Sequence, residues 1–317
     1  MSAPARSRLP VSLEGAFWMI LSGACFATMS ALIRPAAEHV HPLVICCIRA
    51  ALGCAMMLPV LIRVGRIIPP KGTRGVVVGR AVFDATAMAT WFVVIPSLPL
   101  ATAIAINFTS PLFATIFAIF FLGEVVRARR WAAIALGFLG VLIVKRPWAS
   151  DFPPEATFVL ISAAGAAAAR VGARKLSQII DAKEIVAFHF ILLTPLLAIP
   201  AIPVWSWPNG EAWIYILGLS FTGTIGHYFI ARAVTVAETS EVAPFDYVQL
   251  IFAAVLGYLM FAQVPPLTTW LGAGVIAAST TYIARREAQL RRQRALAAAA
   301  AAPPGLAPVP GSTTRAR

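Results

Sequence analysis

LPLATAIAINFTSPLFATIFAIFFLGEVVRARRWAAIALGFLGVLIVKRP, residues 98–147, decides the fold. It holds two apolar runs, 99–121 and 130–146, joined by a short stretch that carries Arg127, Arg129 and Arg130. A helix needs roughly 20 mostly apolar residues to cross a hydrocarbon core about 30 Å thick, and these runs are close to that length. Outward from them the pattern recurs near 13–33, 42–62, 76–97, 157–175, 184–204, 212–233, 241–262 and 267–284, which predicts ten spans. The least regular is 157–175, where the run Ala163–Ala169 is interrupted by Arg170 and Gly172. Unsatisfied amides are excluded from lipid and the alternation of barrel strands is missing, so the predicted class is an all-α polytopic membrane protein.

Composition agrees, with 59% hydrophobic residues, 12% charged residues and a mean hydropathy of +0.81. A net charge of +13 raises the question of nucleic acid, but the basic residues follow loop parity. Arg6 and Arg8, Arg63 to Arg74, Arg127 to Arg130, Arg174 to Lys183, Arg232 and the run from Arg285 to Arg294 fall on one side; Arg34, Lys145 and Arg146 fall on the other. The bias predicts both termini in the cytoplasm of a bacterial inner-membrane protein and no nucleic-acid partner. The first apolar segment is too long for a signal-peptide core, has Glu14 near its start, and reads as a retained helix. Cys25, Cys46, Cys47 and Cys54 have no zinc-ligand spacing and read as buried thiols, with no metal or cofactor expected. Residues 1–12 read as a cytoplasmic N-terminus, and 285–317 as a basic, then Ala/Pro-rich, disordered cytoplasmic tail.

A shift of 139 residues places Gly79 on Gly218, Phe113 on Phe252, Ala114 on Ala253 and Trp131 on Trp270. Near the start of each half a shift of 140 puts Ser22 on Ser162, Ala24 on Ala164 and Arg34 on Arg174. Residues 13–146 and 157–284 thus read as two five-helix repeats joined by 147–156. An odd number of crossings reverses direction, so the repeats would be inverted, with a site near the midplane between them.

The opening stretch, with Pro111 in mid-helix, LGE at 122–124 and the run from Trp131 to Gly140, resembles the EamA-type branch of the drug/metabolite transporter superfamily. SEVAPFDYVQLIFAAVLGYLMFAQVPPLTTWLGAGVI, residues 240–276, repeats its layout, with Gln263 where that family usually has a carboxylate. The resemblance covers residues 13–284 and implies a ten-helix inverted-repeat carrier of small organic metabolites with a central cavity. GRAVFDATAMATWF at 79–92 and APFDYVQL at 243–250 look most similar to S-adenosylmethionine uptake carriers, with riboflavin and amino-acid carriers as alternatives.

A charged side chain at a helix centre costs about 2.5 to 3.5 kcal/mol on insertion scales, so each needs a partner, a wet cavity or a route to the interface. Arg80, Asp84 and Trp91 share one helical face, with Asp84 near mid-membrane. An internal Arg80–Asp84 pair is one reading. A cavity face, with Asp84 taking a cation or coupling proton and Trp91 stacking on substrate, is the other. Asp246 and Gln249 share a face beside Tyr247, and the 139 shift puts Asp246 on Asn107, either as a central site or as helix-to-helix hydrogen bonding. Arg49 could snorkel, hold a substrate carboxylate, or pair with Asp84 or Asp246. Arg170 reads as snorkelling to the cytoplasmic face. His189 reads as a lone packing residue, while His227 and Tyr228, after Gly223 and Gly226, are candidate site residues. Pro111 frees a backbone carbonyl near Asn107, Thr109 and Ser110 and marks a candidate gate, whereas Glu124 reads as a packing or topology residue.

No Walker motif, dinucleotide loop or nucleophile elbow stands out, which disfavours a pump or an enzyme. The expected function is secondary transport, with a proton or counter-substrate as coupling species. A membrane enzyme or ligand sensor using the same cavity is the alternative. The fifth and tenth helices could face lipid or a second protomer, leaving a homodimer open.

Overall fold

The computed structural model describes residues 11–56, 58–64, 68–122, 128–145, 154–236, 242 and 245–301. Arg6, Arg8, Arg66, Glu124, Arg127, Arg146, the connecting residues 147–153 and the tail 302–317 lie outside them. The described residues are helical, with no strand among them. In chain order they form α1 (Val11–Ala37), α2 (Pro42–Met56), α3 (Leu58–Val64), α4 (Arg74–Val94), α5 (Leu100–Asn107) and α6 (Ser110–Leu122). There follow α7 (Ala128–Lys145), α8 (Ala156–Leu176), α9 (Ala182–Ala201), α10 (Gly210–Val236), α11 (Gln249–Phe261) and α12 (Leu267–Ala301).

Six segments are long and apolar enough to cross a membrane: Leu13–Ala37, Arg74–Ser97, Leu100–Phe121, Ala156–Leu176, Glu184–Val204 and Gly210–Ala233. Pro42–Met56, Trp131–Val144 and Gln249–Phe261 are shorter apolar helices. The bundle buries Ile33, Ile45, Phe92, Ile104, Leu112 and Ile216, yet also exposes Phe120, Ile199, Ile214 and Leu259. Large apolar side chains on both the inside and the outside mark a protein whose solvent is lipid.

Two sequence expectations change. Arg170 and Gly172 do not interrupt α8, which runs unbroken because its glycines receive α4. A Cβ at Gly165 would lie 2.7 Å from the Phe83 carbonyl oxygen, and one at Gly172 would lie 3.2 Å from Arg80 Cβ. Residues 285–301, expected to be disordered, instead extend α12. Ala, Arg, Gln and Leu are strong helix formers, and the apolar turns before them have already met the nucleation cost.

Contacts come in pairs related by the 139 and 140 shifts. α1 packs on α10 as α8 packs on α4, α4 on α9 as α10 on α2, and α1 on α11 as α8 on α6. Ser22 Oγ donates to the Gly226 carbonyl at 3.0 Å; Ser162 Oγ donates to the Ala87 carbonyl at 2.8 Å. Ser110 Oγ donates to the Ala163 carbonyl at 2.8 Å, and in the equivalent place Gly23 admits the Gln249 backbone so closely that a Cβ would lie 3.3 Å from its nitrogen. Where α7 crosses α12, Ser279 Oγ donates to the Ala133 carbonyl, and the equivalent crossing brings Gly140 against Gly272. α2 meets α9 and α7 meets α12, each helix beside its own counterpart, while α5 meets α11, the counterpart of α6.

The helix break expected at Pro111 is present between α5 and α6, with Thr109 N donating to Ile106 O at 3.0 Å and Leu112 N to Thr109 O at 2.8 Å. The second half repeats it: Val248 N donates to Phe245 O at 3.2 Å and Ile251 N to Val248 O at 2.9 Å. Leu250 stands there in the place of Pro111, so a proline at that position is not what breaks the helix. Phe108 and Tyr247, also counterparts, meet edge to face at 4.8 Å and bring the two breaks together.

Candidate functional site

Around these breaks the structure gathers charged groups from five helices. Asp84 projects from α4 toward α9, where its Oδ2 lies 3.1 Å from His189 Nδ1. The contact is out of hydrogen-bond alignment, leaving His189 Nδ1 without a bonded partner. Arg80 does not pair with Asp84 as one reading of the sequence had it; its Nη1 donates to the Ile185 carbonyl of α9 at 3.4 Å. The approach of α4 to α9 explains both, because each polar group on that face of α4 finds a partner across the gap before one along its own helix.

Arg170 overturns the snorkelling reading. It donates to Ser110 Oγ on α6, and the acids whose charge reaches it are Asp246 first and Asp84 second. Arg170 lies six residues before the end of α8 at Leu176, roughly 9 Å deep at 1.5 Å per residue. Its side chain is nonetheless exposed, as is His227. Both side chains thus combine contacts to other helices with exposed surface.

His227 meets the Phe26 ring edge to face at 4.9 Å and lies within electrostatic range of Arg49, His189 and Asp84. Tyr228, one residue on, is exposed and neighbours Phe229, so the structure does not bring it to the cluster. Arg49 pairs with neither Asp84 nor Asp246: its Nη1 lies 3.4 Å from Met88 Sδ and its guanidinium 5.9 Å from the Phe92 ring centroid. Trp91 is buried in the same apolar core as Phe92 and Ile104. Asn107 ends α5, Asp246 and Tyr247 precede α11, and Gln249 begins it, each partly buried. A groove of about 720 Å³ between α2 and α10, lined by Leu52, Ala55, Met56, Leu217, Gly218, Ser220 and Phe221, contains none of these residues.

Sequence reasoning missed Arg170 and His189. The signal for His189 was present, since the 140 shift that aligns Ser22 with Ser162 also aligns Arg49 with His189. For Arg170 the signal was depth, because a guanidinium two turns inside an apolar helix reaches the interface only if nothing nearer accepts its protons.

Residues 13–146 and 154–285 each match the EamA-like transporter family. The chain belongs to that family. As an EamA-like transporter it is a multi-pass membrane protein built from two repeats, within the drug/metabolite transporter superfamily, and its relatives move small molecules. It is 32% identical over 288 residues to a riboflavin transporter of Vibrio cholerae, covering 89% of this chain and 96% of that one. An S-adenosylmethionine uptake transporter of Rickettsia felis is 24% identical over 280 residues, covering 88% and 95%. The pseudopaline exporter CntI of Pseudomonas aeruginosa is 29% identical over 278 residues, covering 86% and 96%.

Proposed function

We propose that this EamA-like transporter is a secondary carrier that moves a small organic metabolite across the bacterial inner membrane by alternating access. Its ten spans would be the six long apolar helices, the three shorter ones, and the apolar first half of α12. They would form two inverted five-helix repeats at 13–146 and 157–284, with both termini in the cytoplasm. The observation that carries this reading is a charged cluster held between two sets of paired contacts. Asp84, His189, Arg49, Arg170 and Asp246 all lie where one repeat meets the other. A rocking motion that keeps each repeat intact would open that interface to one side and then the other.

In this reading Asp84 with His189 takes the cationic part of the ligand or a coupling proton. Asp246, Asn107, Gln249 and Tyr247 line the opposite wall, and the paired helix breaks serve as the gate, with Pro111 at one of them. Riboflavin and S-adenosylmethionine, named for the relatives, are the first compounds to offer. The test is counterflow in sealed vesicles containing the purified protein, preloaded with one compound and given its labelled form outside. Accumulation above that of protein-free vesicles is expected. Binding without accumulation of any bound compound would replace the carrier with a ligand sensor, and chemical alteration of the compound would replace it with an enzyme.

A further inference from the structure

Arg49 is the one site arginine whose contacts include no oxygen acceptor. Arg80 has the Ile185 carbonyl and Arg170 has Ser110, whereas Arg49 has a thioether at 3.4 Å and a ring face at 5.9 Å. Its Nε is buried and without a partner, and among the described residues no carboxylate lies within 4.0 Å of it. Asp84 is within electrostatic range of it but not in contact, and for a guanidinium in mid-span a thioether is a weak acceptor. Among the described residues nothing gives it an oxygen acceptor, so something else would have to complete it.

The other repeat shows what that something is. Arg49 on α2 corresponds to His189 on α9, and the Asp84 that faces His189 corresponds to Gly223, which faces Arg49. Gly223 comes so close that a Cβ there would lie 2.8 Å from Arg49 Nη2. One contact therefore places an α4 carboxylate against the α9 base, and its counterpart places bare α10 backbone against the α2 cation. The cluster as a whole holds Arg49, Arg80 and Arg170 against Asp84 and Asp246, an excess of one positive charge with both histidines neutral.

We infer that Arg49 is the receptor for an anionic group on the transported ligand, a carboxylate that supplies to α2 what Asp84 supplies to α9. The inference deepens the carrier reading and rests on it for the ligand's route across the membrane. A planar guanidinium matches a carboxylate by two parallel hydrogen bonds, and α10 would draw Gly223 back from Nε and Nη2 to admit one, so the preferred ligand is an amino acid or another small organic acid. A neutral ligand would leave the guanidinium uncompensated.

The test uses the full chain in detergent, melted in the presence of L-amino acids, S-adenosylmethionine and small dicarboxylates, each paired with its methyl ester or carboxamide, and of riboflavin. At least one carboxylate should stabilise the wild type while its ester does not. Its affinity should fall by about tenfold or more in Arg49→Gln and by less in Arg49→Lys, which keeps the charge and loses the fork. If Arg49→Gln fails to fold, the acid-against-ester comparison on the wild type and the Arg49→Lys variant decide the matter. Equal stabilisation by acid and ester, unchanged affinity in Arg49→Gln, or stabilisation by riboflavin alone overturns the inference. So does the absence of any stabilising carboxylate. Vesicle counterflow of riboflavin that ignores Arg49 leaves the carrier and removes the receptor; carboxylate binding that needs Arg49 without any flux does the reverse.

Discussion

Ser22 reaching the Gly226 carbonyl and Ser162 reaching the Ala87 carbonyl are one contact made twice, whereas Arg49 against Gly223 and His189 against Asp84 are one position filled in two ways. The first kind of pair is a matter of helix placement, and the halves agree there to within tenths of an ångström. The second kind lies in the charged cluster, where the halves part: Arg170 corresponds to Ser30, Arg80 to Leu219, His227 to Met88, and Asp246 to Asn107. A frame that must present equivalent faces to two sides of a membrane gains from symmetry. A small asymmetric ligand bound inside it gains from chemistry that is not repeated.

The sharpest way to break this contrast is to remove chemistry from one half only. Asp84→Asn removes a charge that its counterpart Gly223 does not have and takes the carboxylate from His189. Flux should drop by about a hundredfold, near 2.7 kcal/mol of lost interaction, in vesicles that contain normally folded protein. Full flux with unchanged pH dependence would mean that the charged asymmetry is not used for transport.

The next effect bears on the frame. Gly140→Leu drives a side chain into the backbone of α12, because a Cβ there would already lie 2.9 Å from the Gly272 carbonyl oxygen. Overpacking of this kind costs about 1 to 3 kcal/mol and should lower the melting temperature, with ligand affinity at the distant cluster unchanged. Ser22→Ala and Ser162→Ala should each cost about 1 kcal/mol, and by nearly the same amount. Unequal costs would show that the pairing of contacts is not a pairing of energies. The smallest effect should be a gain. Ala262 holds the left-handed conformation at the end of α11, at φ 51°, where the shift aligns it with Gly123. Ala262→Gly should stabilise by about 1 kcal/mol, measured as a higher melting temperature.

Much of the frame was legible in the sequence. Apolar length marked the helices, and Ser22 on Ser162 marked a real pair of hydrogen bonds before any contact was known. Asp84 and Asp246 stood out because an acid in an apolar run has few explanations. The partners were harder to read, since helical periodicity gives the face a residue occupies but not the helix that face meets. Arg80 and Asp84, one turn apart, looked like a pair until α9 was placed beside them. Arg170 looked free until α6 supplied Ser110. Pro111 looked like the cause of a break that its counterpart Leu250 shows to belong to the repeat.

The serine contacts have a consequence for how such a molecule changes over generations. Each joins a hydroxyl to a main-chain carbonyl, so the accepting side chain matters by its size alone; it is Gly226 in one case and Ala87 in the other, both small where a neighbouring helix comes close. A change of residue at an acceptor position keeps the hydrogen bond as long as the new side chain is small enough for that approach. The two halves can thereby keep one contact while their sequences part, so thin identity between them is compatible with paired hydrogen bonds.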